Sequence, residues 1–62
     1  MTPDDLRAAR VRLGLTQAEL AKALRLSDTR SVRRWEAAGS EVPGPVQVAV
    51  ELMVATKERE AA

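Results

Sequence analysis

Glycine and proline cut this chain into three stretches, a short turn divides the middle one again, and none of the resulting four reads as a strand. Pro3 lies just inside the first stretch, Gly14 closes it, Gly39 ends a later one and Pro43-Gly44-Pro45 leads into the last. Proline suits the first turn of a helix and glycine the residue past its end. Between these breaks apolar residues recur at helical spacing, and no stretch alternates with period 2. Leu6, Ala9 and Leu13 share one face of a first helix. Thr2 is placed to cap it, with Asp5 three residues on. Thr16-Gln17-Ala18-Glu19 is a capping box opening a second helix, whose buried face is Leu20, Ala21 and Leu24. After a turn at Arg25-Leu26-Ser27, Ser27 or Asp28 caps a third helix running to about Ala38. Pro45 opens a last helix reaching about Lys57, with Glu58 to Ala62 expected to fray.

Composition removes several kinds of chemistry. With no Cys and no His, zinc sites of the Cys/His type, disulfides and His-dependent catalytic triads are excluded. Trp35 is the single aromatic residue, too few for a base-stacking platform on single strands. The longest apolar runs, Val48 to Val50 and Leu52 to Ala55, are split by Glu51 and cannot span a bilayer. The opening Met1-Thr2-Pro3-Asp4-Asp5 lacks the basic region of a signal peptide. A cytoplasmic protein of one domain over residues 1–62 is expected, with no cofactor, metal, membrane or small-molecule ligand. A chain of this size buries only about 60% of its unfolded surface, so its stability margin is thin.

A net charge of +1 conceals an asymmetry. From residue 7 to residue 34 there are Arg7, Arg10, Arg12, Lys22, Arg25, Arg30, Arg33 and Arg34 against Glu19 and Asp28, a net +6, while the remainder carries −5. One part therefore suits a polyanion, unless these are ordinary solvated helix charges. The third helix sharpens the choice. At about 100° per residue, Thr29, Arg30, Arg33, Arg34 and Ala37 fall in one arc, and Ser31, Val32, Trp35 and Ala38 fall opposite. An apolar face anchored by Trp35 and a guanidinium face outward suit the major groove of B-DNA, where the arginine fork meets guanine O6 and N7 or clamps phosphate. The plainer alternative is arginines that simply face water. Two helices joined by a short turn, the second basic outward, make a helix-turn-helix unit over about residues 16–38.

Leu15-Thr16-Gln17-Ala18-Glu19-Leu20-Ala21-Lys22-Ala23-Leu24, followed by Val32-Arg33-Arg34-Trp35-Glu36, resembles the Cro/C1-type (XRE) helix-turn-helix family of phage and bacterial DNA-binding regulators. The similarity spans about residues 4 to 40. It implies an all-α, compact, four- to five-helix, lambda-repressor-like domain. It also implies roles: Thr29, Arg30 and Arg34 at base edges; Gln17 and Arg33 at the DNA backbone; and Arg10 with Glu36 as an ion pair bridging the first helix to the end of the third, while Ser27 and Arg25, in the turn between the helices, are further candidates for the DNA backbone. Arg10 otherwise contacts phosphate or is solvated. The chain departs from the family pattern in two places. Arg25 stands where glycine is usual, and the stretch from Arg25 to Ser31 is one residue longer. Arg25 either contacts phosphate or replaces glycine at a left-handed position at a cost in strain.

The last helix, about residues 45–57, carries two apolar sectors. Val46, Ala49, Val50, Met53 and Val54 can close the core over Leu6, Leu20, Leu24 and Trp35. Val48, Leu52 and Ala55 are left for a homodimer contact, or else pack under the Val42-Pro43 loop. Two third helices related by a twofold axis would lie about 34 Å apart and call for an inverted-repeat operator. The leading expectation is a homodimeric repressor of double-stranded DNA, nucleoid-associated in a bacterial or phage-infected cell. The Val42-Pro43-Gly44-Pro45-Val46 lead-in looks like small phage anti-CRISPR-associated (Aca) autoregulators. The rival is an antitoxin-like or adaptor module acting through the last helix. An enzyme is not expected: Asp4-Asp5, the one adjacent carboxylate pair, is explained by its place at a helix start.

Overall fold

A computed structural model describes residues 1–61, as four helices: α1 (Pro3–Arg12), α2 (Gln17–Ala23), α3 (Arg30–Trp35) and α4 (Gly44–Ala61). Among the described residues there is no strand. Both threonine caps form: the Thr2 hydroxyl accepts from the Asp5 amide while Asp5 accepts from the Thr2 amide, and Thr16 and Glu19 do the same at α2. Each box satisfies two amides that the helix cannot serve itself. These bonds hold the Asp5 and Glu19 carboxyls below their ordinary values, the backbone bond to each threonine being the largest cause.

Both α1 and α2 end in the same way. At α1, the amides of Gly14 and Leu15 donate to the carbonyls of Val11 and Arg10. At α2, the amides of Arg25 and Leu26 donate to Lys22 and Ala21. This paired closure puts one residue in the left-handed region. That residue is Gly14 in one case (φ 71) and Arg25 in the other (φ 63). Arginine pays a steric penalty there that glycine does not.

The structure revises the third helix. Its N-cap is Thr29 rather than Ser27 or Asp28, its first residue is Arg30, and it ends at Trp35, short of Ala38. Residues 24 to 29 are not helical, and Thr29, at the boundary, has helical dihedrals and no side-chain cap bond. Asp28 serves the start instead, accepting the Arg30 amide at 2.8 Å. Past Trp35 the backbone turns through Gly39 (φ 83). Ala38 is consequently exposed rather than on an inner face.

The last helix is also longer than expected. It runs from Gly44 and is still helical at Glu58 to Ala61; Ala62 lies outside the described residues. Its final turns are strong helix formers without a breaker. Lys57 Nζ donates to the Leu13 carbonyl at the end of α1, and Glu58 meets Arg12 at 3.4 Å.

Leu6, Leu20, Ala21, Val32, Val42 and Val50 form the buried core. Leu24, Trp35, Val46 and Met53 are half-buried against it. Val42, a loop residue, was not among the expected core positions. Gln47 holds that loop by donating to the Val42 carbonyl at 2.8 Å. Packing of α4 on α1 uses the Val50 side and leaves Val48 and Leu52 exposed, at 57% and 63%, so the second sector does not pack under the Val42-Pro43 loop.

Replacing Arg25 by Gly should raise the urea unfolding midpoint, by about 1 kcal/mol of stability, because left-handed backbone is strained for a residue with a Cβ. An unchanged or lower midpoint would show that the arginine side chain supports the fold there.

Candidate nucleic-acid interface

The basic surface expected to meet DNA is built on α3 and the turn before it. Val32 is fully buried, and Trp35 packs half-buried against the core. Those two side chains fix which side of a six-residue helix faces out. Arg33 and Arg34 are exposed and make no ion pair among the described residues. Arg30 is also exposed, its Nη2 lying 3.2 Å from Asp28 Oδ2. Ser27, Asp28, Arg30 and Arg34 border one open groove together with Leu26 and Ser31. Thr29 is half-buried at the start of α3 and does not border that groove; its carbonyl accepts the Arg33 amide at 3.1 Å. Arg25 is exposed at the left-handed turn.

The inner end of this surface is held by a buried acid. The Glu36 side chain is 1% exposed. Its Oε2 accepts from Arg10 Nε at 2.7 Å, and its Oε1 accepts from Arg10 Nη2 at 3.2 Å and from Gln17 Nε2 at 3.2 Å. Arg7 approaches the same carboxylate at 3.4 Å and donates to the Glu36 carbonyl at 3.3 Å. Arg10 further donates to the Leu15 carbonyl at 2.9 Å. The cluster therefore joins α1, the loop after it, the first residue of α2 and the residue closing α3. Gln17 is half-buried and turned inward to Glu36. The part played by Arg7 and the Glu36 partner of Gln17 went unread in the sequence. The available signal was the spacing of Arg7 and Arg10, three apart on one helix face.

Burial pushes the Glu36 carboxyl up, but the hydrogen bonds from Arg10 and Gln17, the Arg10 charge and the bond from Arg7 outweigh it and hold it below its ordinary value. A carboxyl lowered in the folded state binds its proton more readily when unfolded. Its contribution to stability is present above the unfolded value and is lost as pH falls through the lowered one.

The remaining expected residues lie elsewhere. Val48, Leu52 and Ala55 are exposed along one stripe of α4. Leu52 also borders an open groove with Leu13, Leu15 and Met53. Among the described residues no helix is long and apolar enough to cross a membrane.

Replacing Arg10 by Met should lower stability at neutral pH by about 3 kcal/mol, the usual scale for stranding one partner of a buried pair. The deficit should shrink as the buffer is taken from about pH 7 to about pH 3, because protonation relieves the stranded carboxylate. A deficit independent of pH in urea titrations would contradict a charge-based role for the cluster.

The sequence profile of the helix-turn-helix family matches residues 6–45, from the buried Leu6 through α3 to the first turn of α4. No curated protein and no solved structure matches the chain.

Proposed function

Because the chain belongs to the Cro/C1-type helix-turn-helix family of DNA-binding transcription regulators, we propose that it is a homodimeric repressor that occupies an inverted-repeat operator. One observation carries the DNA-reading part. Arg30, Arg33 and Arg34 are exposed on a helix whose Val32 is fully buried, so their guanidinium groups lie where a duplex can reach them.

In this reading Arg30 and Arg34 contact bases from the groove they share, and Thr29 does so from outside that groove, at the start of α3. Arg33, Arg25 and Ser27 contact the sugar-phosphate backbone, and Gln17 joins them through its main-chain amide at the start of α2, because its side-chain Nε2 is given to Glu36. The chain has no Asn, and its amide side chains are Gln17 and Gln47, so bidentate reading of adenine by α3 is not available. The half-sites should contain guanine.

The dimer is proposed on α4. Val48 and Leu52 are large apolar side chains left in solvent one helical turn apart, continued by Ala55. Covering them with a second copy stabilises a small domain by mass action and doubles the DNA contacts. The family match stops at the first turn of α4, so this contact rests on the exposed stripe alone. The same stripe also fits an antitoxin-like or adaptor module that masks another protein. Within the repressor reading, the Val42-Pro43-Gly44-Pro45-Val46 lead-in to α4 is similar to that of anti-CRISPR-associated autoregulators, and binding upstream of its own gene would bear that out.

Selection from a random duplex pool should return an inverted repeat with guanine in each half, bound with a steep log–log salt dependence. No enrichment of any duplex, with co-purification of a different protein, would favour the adaptor. Arg34→Ala should cost about 1–3 kcal/mol and relax one base position, whereas Arg33→Ala should weaken all duplexes alike and reduce the salt slope by about 1. Leu52→Glu should yield a monomer in sedimentation and lose affinity for the full repeat far more than for a half-site. An unchanged sedimentation coefficient would place the contact elsewhere.

A further inference from the structure

We propose that Asp28 is a specificity-determining positioning residue, whose carboxylate aims the Arg30 guanidinium at base edges and keeps phosphate away from it; this rests on the DNA-binding reading of α3. Asp28 makes two contacts with one residue. Its Oδ1 accepts the Arg30 amide at 2.8 Å, and its Oδ2 accepts from Arg30 Nη2 at 3.2 Å. The first fixes the carboxylate to the start of α3, and the second ties the guanidinium to that fixed point.

The pair is exposed, 79% for the Arg30 side chain and 46% for Asp28, and an exposed pair contributes little to folding. It also sits where a carboxylate is unfavourable for general DNA affinity. Asp28 is the single acid between Arg25 and Trp35, among Arg25, Arg30, Arg33 and Arg34, and it borders the groove shared by Arg30 and Arg34. A negative charge on such a surface weakens attraction to every duplex. What it supplies is discrimination. A guanidinium has five N–H donors, and with one engaged by Asp28 the others still reach guanine O6 and N7 together. A phosphate approaching Arg30 meets the neighbouring carboxylate and is repelled, whereas the neutral edge of guanine is not. The tethered fork also loses less rotamer freedom on docking. Arg34, in the same groove, makes no ion pair among the described residues and has no such bias.

The test uses the full chain with two probes, the duplex recovered by selection from a random pool and a random-sequence duplex of equal length. Asp28→Asn keeps an oxygen for the Arg30 amide and removes the charge; Asp28→Ser is a second variant that keeps a hydroxyl acceptor. Expected for both is an unchanged unfolding midpoint, tighter binding to random duplex with a salt slope steeper by about 1, and a preference for the selected duplex reduced about tenfold. Preference and salt slope that stay at wild-type values, or a loss of affinity equal on both probes, would overturn the assignment. If the wild-type chain itself prefers no duplex, the DNA-reading function fails with it; a selective wild type with unaltered Asp28 variants overturns the role of Asp28 alone.

Discussion

The buried carboxylate of Glu36 is the constraint on which the rest of the structure depends. A charge taken out of water is costly unless partners surround it, and here Arg10, Gln17 and Arg7 all donate to it. Those partners come from two helices remote in sequence. Each bond fixes a distance between α1 or α2 and the end of α3. Val32 fixes the same helix from its middle by apolar burial. A helix of six residues cannot hold its own orientation; these two attachments hold it, and they decide that Arg30, Arg33 and Arg34 point away from the body.

The turn before α3 shows how local chemistry shapes that surface. The closure of α2 requires a left-handed residue, and Arg25 occupies the place at a steric cost. The non-helical stretch after α2 runs to Thr29, and the helix begins at Arg30. Asp28 then meets the first amide from outside the helix, where a capping side chain would ordinarily sit at the boundary. A charged turn therefore borders the same groove as the first and fifth residues of α3.

The longest helix divides its apolar residues between two environments. Val50 goes fully into the core while Val48 and Leu52, on the other side of the same helix, stay in solvent. Three short helices can cover only one side of α4, since a helix turns about 100° per residue and a second sector necessarily faces away. The extension to Ala61 is held at its base by Lys57 on the Leu13 carbonyl, which also satisfies an acceptor at the end of α1.

By itself the sequence determined the all-helical class, both threonine capping boxes, the break at Gly14 and the basic, outward character of α3. Each of these depends on residues within a turn or two of one another, where backbone hydrogen bonding and helical periodicity act without the rest of the molecule. Only the tertiary structure decided the length of α3, the burial of Val42, the inward bond of Gln17 and the addition of Arg7 to the Glu36 cluster. Those outcomes depend on segments that lie far apart along the chain, and no local propensity records which distant acceptor a side chain will meet. The reach of α4 lay in between: its helix-forming residues were visible, but the Lys57 and Glu58 contacts that accompany its last turns lie on α1 and the residue closing it.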